Sequence, residues 1–236
     1  MSEKGKLILI PNFLGPGKKG DVSDSQLQLI YRISEFIVES EKSARAYLKA
    51  IEHPIPQSDF IFHLLNEHTL ENIDLTPYFK TCVKGNTIGL ISDAGIPCVA
   101  DPGNKAVAFA HKNHLKVVPL SGPSSIYMAL MASGFNGQNF TFNGYLVIDL
   151  SARISQIVSM EKMMLSSGQT QLFMETPYRN QALFQLLLKT LKPTTKLCIA
   201  SNISQHDEII QTLEVQDWKK SEHLIQKSPS IFLIGR

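Results

Sequence analysis

Short runs of consecutive apolar residues constrain the fold of this chain more than any other feature. Residues 7–10, 36–38 and 87–91 are apolar almost throughout, without the alternation that marks a strand with one face in water. Strands with this pattern are buried on both faces and form parallel sheets that helices cover. Stretches with helical spacing separate the runs, as in βαβ units. With further runs at 60–65 and 116–120, the pattern predicts an α/β domain built on a mainly parallel, five-stranded sheet.

The second half of the chain, after residue 120, has a different pattern. Helical spacing recurs at 154–165 and 180–191, on either side of a strand at 171–174. Three further apolar runs then follow with little helical sequence between them, which favours antiparallel pairing. These runs lie at 196–203, 208–215 and 230–234. The chain is therefore expected to divide into two α/β domains, 1–120 and 121–236, the second with a mixed sheet.

Composition narrows the class of protein. Of the 236 residues, 43% are hydrophobic and 19% are charged, which is typical of a globular protein with a large core. The net charge of +2 is too small to indicate or to exclude a nucleic-acid partner. The three cysteines, Cys82, Cys98 and Cys198, are far apart, so neither a disulfide framework nor a structural zinc site is expected. The first apolar run is too short for a signal peptide and no run is long enough to span a membrane, so a cytoplasmic protein is expected.

The loop after the strand at 87–91 combines features of a ligand-binding turn. It reads Ser92-Asp-Ala-Gly-Ile-Pro-Cys-Val-Ala-Asp-Pro-Gly103, with small residues where a ligand can meet the backbone and two carboxylates that can accept hydrogen bonds. In an open α/β sheet, ligands bind beyond the carboxyl ends of the strands, where this loop should lie. The alternative is an ordinary connection between a strand and a helix, since Gly, Pro and Asp fill most turns for local reasons.

Two other loops at this expected edge have weaker signals. Residues 121–125, Ser-Gly-Pro-Ser-Ser, can simply start a helix, because serine caps helices and proline suits their first turn. The same amides and hydroxyls can hold a polar cofactor if the loop at 92–97 is a neighbour. Residues 15–20, Gly-Pro-Gly-Lys-Lys-Gly, match neither GxGxxG nor GxxxxGK[ST], which disfavours a P-loop NTPase and a NAD-binding Rossmann fingerprint. Their alternative interpretation is a mobile loop with solvated lysines.

Candidate acid–base groups follow two of the predicted strands. Glu67 and His68 can exchange protons with a substrate when they are shielded from water, or they can cap the following helix. Glu175 and Arg179 flank a Thr-Pro-Tyr turn and suit a polar substrate, or they pair with each other in a strand-to-helix turn. The sequence leaves both alternatives open.

Three basic residues share one face of a predicted helix. Lys42, Arg45 and Lys49 lie three and four positions apart, which places them on the same side. Such a face can contact the phosphates of a nucleic acid. A solvated face explains the same three residues and is the more common case.

The order of these segments resembles that of one family. A strand followed by Ser92-Asp-Ala-Gly-Ile-Pro97, then Asp101-Pro-Gly103, then Val118-Pro-Leu-Ser-Gly-Pro-Ser-Ser125 is similar to the tetrapyrrole methylase superfamily. Within it, the chain most resembles the branch that methylates a ribose 2′-hydroxyl of small-subunit ribosomal RNA. That branch carries Glu-His and Glu-Ser-Pro-x-Arg stretches similar to those around Glu67 and Glu175.

The resemblance implies two α/β domains, S-adenosylmethionine bound in the cleft between them, and a homodimer. Carried over by position, the cofactor contacts come from the loops at 92–95 and 121–124 and from three positions further along the chain. These residues are Ser92, Asp93, Ala94, Gly95, Ser121, Ser124, Met174, Ala200 and Pro229. A hydroxyl acceptor also needs a base, for which Glu67, His68 and Glu175 are the candidates. Methyl transfer from S-adenosylmethionine requires no metal, and the spacing of the cysteines and histidines offers no site for one.

Two segments depart from the pattern of that branch. Where the branch carries Glu-Asp-Thr-Arg after the second strand, this chain has Glu39-Ser-Glu-Lys42, and the loop at 12–20 lacks the branch's Ile-Gly-Asn-Leu. The expected function is S-adenosylmethionine-dependent methylation of small-subunit ribosomal RNA. The departures keep two alternatives open, namely methylation of a tetrapyrrole or other small molecule, and a non-catalytic module that binds S-adenosylmethionine.

Overall fold

Alternating strands and helices build the first of two units, Met1–Ser124. The computed structural model describes residues 4–66, 73–220 and 227–236. In chain order, the helices and strands of this unit are β1 (Lys6–Ile10), α1 (Asp24–Ile30), β2 (Glu35–Val38), α2 (Glu41–Ala50), β3 (Ile61–Leu64), α3 (Lys80–Val83), β4 (Ile88–Ile91), α4 (Asn104–Lys112) and β5 (Lys116–Pro119).

The five strands of the first unit form one parallel sheet in the order β3-β2-β4-β1-β5. The inner strands β2 and β4 are buried along their whole lengths, whereas the edge strands β3 and β5 are exposed at their ends. Gly89 lets the ring of Phe36 lie against β4, because a Cβ at this position would come within 2.6 Å of that ring. The predicted parallel sheet is confirmed.

Helices cover both faces of this sheet. Ile8 and Ile10 belong to a core cluster that includes residues of α1 and α2. Leu7 belongs to a second cluster, with residues of α3 and α4. Successive side chains of a strand point to opposite faces, so a strand with a core on each side must be apolar at every position. This explains why the sequence shows continuous apolar runs.

The second unit, Ser125–Arg236, contains a mixed sheet. Its strands lie in the order β6-β7-β10-β8-β9, with β6 parallel to β7 and the other three pairings antiparallel. Phe173 and Phe232 stack in its core with their ring centres 5.9 Å apart. The mixed sheet predicted for the second half is confirmed. In chain order, the elements are α5 (Ser125–Ser133), β6 (Phe140–Tyr145), α6 (Leu150–Ser167), β7 (Thr170–Met174), α7 (Asn180–Thr190), β8 (Lys196–Ser201), β9 (Ile209–Glu214), α8 (Val215–Trp218) and β10 (Ser230–Gly235).

Some helix ends differ from the sequence prediction. The spacing of Leu27, Ile30 and Ile33 predicts one helix, but α1 ends at Ile30, and Ile33 is buried in the connection to β2. Helix α6 is longer than 154–165, because it begins after Asp149, whose carboxylate accepts a hydrogen bond from the Ala152 amide. None of the helices in the described part of the chain has both the length and the apolar character of a membrane span.

Candidate functional site

The loops that follow β1 and β4 meet at the carboxyl edge of the first sheet. The amide of Asn12 donates to the carbonyl of Gly95 at 3.0 Å, and the amide of Gly95 donates back to the carbonyl of Asn12 at 3.1 Å. This pair of hydrogen bonds extends the contact between the two strands into their loops. The loop at 92–95 is therefore held in a defined position by the chain that leaves β1.

The side chain of Asn12 fixes the same loop from inside. Asn12 is buried, and its Nδ2 donates to the carbonyls of Ser92 at 3.0 Å and of Asp93 at 3.1 Å. Its Oδ1 accepts a hydrogen bond from the Phe13 amide at 2.8 Å. Sequence reasoning did not single out Asn12, since a polar residue after an apolar strand is a weak signal by itself.

Three residues of the loop have left-handed backbone conformations. Gly95, Cys98 and Ala100 have φ values of 69°, 69° and 63°. For a residue with a side chain this conformation is unfavourable, and it persists where surrounding contacts enforce it. Here the carboxylate of Asp101 accepts hydrogen bonds from the amides of Cys98 and Gly103, each at 2.8 Å. The loop thus has a fixed shape, and Asp101 is one of the groups that hold it.

Burial alters two ionisable groups of this loop. It raises the pKa of the Cys98 thiol to about 12, so Cys98 stays a thiol at neutral pH and is a poor nucleophile. Burial also raises the pKa of Asp101, although the Gly103 and Cys98 amides oppose the shift.

The loop at 92–95 is a neighbour of the segment at 121–124. A Cβ added to Gly95 would lie 3.2 Å from the carbonyl oxygen of Pro123 and 3.9 Å from Cα of Ser124. The Gln26 side chain binds the other end of that segment, donating to the Ser121 carbonyl at 2.8 Å and to its Oγ at 2.7 Å. The sequence allowed the segment at 121–125 to hold a cofactor only if the loop at 92–97 lay next to it. In the structure the two segments are neighbours.

The exposed part of the loop offers polar groups to a ligand. Asp93 and Ala94 are exposed, whereas Ser92 is buried and its Oγ donates to the carbonyl of Gly95 at 2.5 Å. The Asp93 amide donates to the Glu39 carboxylate at 3.2 Å. Partial burial of the Asp93 carboxyl raises its pKa, while hydrogen bonds from Ser43 and Ser40 oppose the shift. The predicted cofactor positions of the first unit therefore lie together, with the Asp93 carboxyl at the surface.

A cleft of about 370 Å³ opens beside this loop. One wall is the chain at 12–17, the opposite wall is α2, and Asp93 and Ala94 complete it. The α2 residues in the wall are Ser43, Ala46, Tyr47 and Ala50. The Gly-Pro-Gly loop, which the sequence left between a nucleotide loop and a plain mobile loop, is thus one side of a ligand-sized space.

The basic face of α2 is only partly available. Arg45 pairs with Glu41 at 2.7 Å, donates to the Gln57 carbonyl and lies 4.7 Å from the centre of the Phe62 ring. Lys42 and Lys49 are exposed. A phosphate contact on this helix would therefore depend on the two lysines.

In the second unit, Glu175 follows β7 and is enclosed. Its side chain is fully buried, and Oε1 accepts from the Thr176 amide at 2.8 Å and pairs with Arg179 at 2.7 Å. Arg153 lies 3.7 Å from Oε2, an oxygen to which none of the described residues donates a hydrogen bond. The pairing of Glu175 with Arg179, one of the two alternatives from the sequence, is the contact that forms.

The remaining predicted positions of the second unit lie at one end of its sheet. Met174 of β7 and Ala200 of β8 both pair with Ile231 of β10, from opposite sides. The carbonyl of Pro229, two residues before Ile231, accepts a hydrogen bond from the Asn202 amide at 3.0 Å. The sheet therefore brings Met174, Ala200 and Pro229 close together.

Glu67 and His68, the other acid–base candidates, lie outside the described residues. Within the described ranges, no three His, Cys, Asp or Glu side chains are grouped so that they could hold a metal ion.

No protein-family model matches the chain. The chain is similar to curated proteins that carry the name ribosomal RNA small subunit methyltransferase I, among them proteins of three species. The protein of Leptospira borgpetersenii is 31% identical over 81% of this chain and 71% of its own length. That of Vibrio cholerae is 26% identical over 97% and 76%. That of Xylella fastidiosa is 30% identical over 68% of this chain and 56% of its own length, so the match spans little more than half of that relative.

Two solved structures have the same fold as this chain. The methyltransferase CobJ superposes with a TM-score of 0.61 at 14% identity, covering 98% of this chain and 94% of the other. Uroporphyrin-III-C-methyltransferase from Thermus thermophilus superposes with a TM-score of 0.58 at 15% identity, with the same coverage. At these identities the likeness concerns the fold alone, and it confirms the predicted α/β fold class.

Proposed function

The chain belongs to the ribosomal RNA small subunit methyltransferase I family, and from this membership we propose that it transfers a methyl group from S-adenosylmethionine to a ribose 2′-hydroxyl of small-subunit ribosomal RNA. It is a methyltransferase, as the sequence predicted. The cofactor, the acceptor and the cellular site are parts of the proposal. We place the reaction in the cytoplasm, where small ribosomal subunits are found.

One observation carries the proposal for the cofactor: the rigid loop at 92–95 lies against Pro123 and Ser124. The sulfonium of S-adenosylmethionine makes its own methyl group electrophilic, so the protein mainly has to bind and orient it. A loop fixed by Asn12 suits that task, because little order has to be gained on binding. Gly95 suits it too, since a side chain there would crowd the Pro123 carbonyl.

We assign the cofactor contacts to two groups of residues. The loops of the first unit contribute six of them and the sheet end of the second unit contributes three. The residues are Ser92, Asp93, Ala94, Gly95, Ser121 and Ser124, with Met174, Ala200 and Pro229.

A ribose hydroxyl is a weak nucleophile and has to lose a proton as the new O–C bond forms. Of the three candidate bases, Glu175 is the least suited, because its carboxylate is enclosed and paired with Arg179. We therefore assign the proton acceptor to Glu67 or His68.

The cofactor proposal is tested by calorimetry with S-adenosylmethionine. We expect binding with a Kd in the micromolar range, roughly −8 kcal/mol. The substitution Gly95→Ala should weaken it, since Gly95 has a φ of 69° and a Cβ would meet Pro123. Gly137→Ala is the matched control, because a Cβ there meets no atom of the described residues within 4 Å. Absence of binding by the wild-type protein would overturn the proposal.

The acceptor is tested with tritiated S-adenosylmethionine. Small ribosomal subunits from a strain that lacks the gene should accept label, and subunits from the parent strain should not. Hydrolysis and nucleoside mapping should place the label on a ribose. Cofactor binding without any labelled RNA would instead favour a tetrapyrrole or small-molecule acceptor, or a module that only binds the cofactor.

We also propose a homodimer. Seven large apolar side chains between residues 145 and 163 of the second unit are exposed, and a stripe with helical spacing runs along α6 through Leu150, Ile154 and Val158. An exposed apolar surface of this kind is typical of an interface, and a second copy is the simplest partner.

A further inference from the structure

The cofactor contacts proposed above involve the loop at 92–95, called the donor loop below. They leave most of the cleft beside this loop without an occupant. The cleft shares only Asp93 and Ala94 with them, and the rest of its wall comes from residues 12–17 and α2. Its volume of about 370 Å³ is at the low end of the range for small-molecule sites and far too small for a nucleic-acid helix. An occupant of the size of one nucleoside fits.

The lining of the cleft is suited to a flat apolar ring. Phe13 and Pro16 offer apolar surface, and Phe13 is held by the Tyr47 ring, whose centre is 5.2 Å away. Ala46 and Ala50 on the opposite wall are small, so a ring can lie close to the helix. Proteins bind unstacked RNA bases between surfaces of this type.

Polar groups stand at the end of the cleft next to the loop. The Ser43 Oγ lies 3.3 Å from the Asp93 carbonyl oxygen, and both residues line the cleft. The Ser43 hydroxyl can hydrogen-bond to the oxygens of a ribose, and Asp93 lies beside it. The polar end of the cleft therefore adjoins the expected position of the methyl donor.

Three lysines are sequence neighbours of residues that line the cleft. Lys18 follows Gly17, Lys42 precedes Ser43 and Lys49 precedes Ala50, and all three lysines are exposed. Lys19, by contrast, pairs with Glu52 at 3.1 Å. Exposed cations on this part of the surface attract the phosphates of a strand whose nucleotide enters the cleft.

We propose that this cleft holds the single nucleotide whose ribose is methylated, with its base against Phe13 and Pro16 and its ribose at Ser43 and Asp93. The inference rests on the proposed function. It requires the target nucleotide to leave its stack, as bases do when enzymes act on them singly. The wall shared with the donor loop brings the acceptor oxygen next to the cofactor, where a separation of about 3–3.5 Å is needed for transfer.

The experiment fills the cleft without changing the donor loop. Ala46→Trp places a large side chain in the wall of the cleft, and Ala46→Leu fills it partly. Ala108→Trp is the matched control, because Ala108 is an exposed residue of α4 in the same unit and does not line the cleft. Each variant is measured for its thermal unfolding, its Kd for S-adenosylmethionine, its Kd for undermethylated small subunits and its kcat/KM for them.

We expect Ala46→Trp to bind S-adenosylmethionine like the wild type but to lose on the order of 100-fold in kcat/KM for the subunits, with Ala46→Leu in between. In the absence of cofactor, the affinity of Ala46→Trp for the subunits should also fall. Ala108→Trp should match the wild type in every measurement. A loss of cofactor affinity in folded Ala46→Trp would show that the cleft holds the donor and would overturn the inference. So would unchanged transfer by this variant. A wild-type protein that labels no RNA would overturn the proposed function, and the inference with it.

Discussion

At the scale of single residues, Asn12 has the most consequential set of contacts in the first unit. One buried amide group satisfies two carbonyls of the loop at 92–95, and the backbone of the same residue binds Gly95 in both directions. The desolvation penalty of a buried carbonyl remains when its hydrogen-bond donor is removed. The position of the loop therefore depends on a side chain about 80 residues away in the sequence.

The substitution Asn12→Ala should lower the free energy of unfolding by about 1–3 kcal/mol, because it removes the amide that donates to the Ser92 and Asp93 carbonyls. The Asp93 carbonyl still accepts from the Ser43 hydroxyl, so the Ser92 carbonyl is affected more. It should also weaken S-adenosylmethionine binding, since the loop loses its fixed position. Chemical denaturation and calorimetry measure the two effects.

Asn113→Ala is the control for this prediction. Its side chain donates one hydrogen bond, to the Phe109 carbonyl at 2.9 Å, so a smaller loss of stability and unchanged cofactor binding are expected. Equal behaviour of the two variants would contradict a special role for Asn12.

At the scale of elements, the junction of β7 and α7 is held by charge. Glu175 lies between Arg179, four residues ahead, and Arg153 of α6, which also donates to the carbonyls of Val147 and Ile148 at 2.7 and 3.0 Å. One carboxylate thus joins a strand, the turn after it and a neighbouring helix. Because the Glu175 carboxylate is buried, removing either Glu175 or Arg179 alone leaves the other without its partner and lowers the stability.

Glu175→Gln should therefore lower the free energy of unfolding by about 3 kcal/mol, the low end for a broken buried pair, since Arg179 is partly exposed. Glu41→Gln removes the exposed pair with Arg45 and should cost at most about 0.5 kcal/mol. Thermal and chemical unfolding report both. A Glu175→Gln protein that is as stable as the wild type but inactive would instead identify Glu175 as the base.

The same junction shows how far the sequence predicts the site. The Glu175–Arg179 pair is predictable, because four residues separate the partners. Likewise the apolar runs predict the strands, because a strand with a core on both faces needs apolar residues throughout. Arg153 and Glu175, or Gln26 and Ser121, are 22 and 95 residues apart, and only the folded topology brings them together. Asn12 was missed for the same reason.

At the scale of the whole molecule, the exposed apolar surface of the second unit is the feature that most needs a partner. Ile148 is 75% exposed and Leu150 is 60% exposed, which is costly for a protein that stays monomeric. A two-fold interface uses the same patch on both copies, so one charge introduced into it acts twice.

Leu150→Lys should accordingly convert a wild-type dimer to monomer in sedimentation velocity experiments at micromolar concentration. Leu29→Lys is the control, because Leu29 is an exposed leucine of α1 in the first unit, 43% exposed. A monomeric wild type, or a Leu150→Lys protein that remains dimeric, would refute the proposed interface.

The position of β1 at the inside of the first sheet governs how the chain can fold during synthesis. Leu7 pairs with Ile88 and Val117, so β1 is synthesised before both of its neighbours, which follow only after about 80 and 110 further residues. At roughly 5–20 residues per second, the nascent chain carries this unpaired apolar strand for roughly 4–16 seconds before β4 is made. During that interval it is a target for chaperones and for aggregation with other nascent chains.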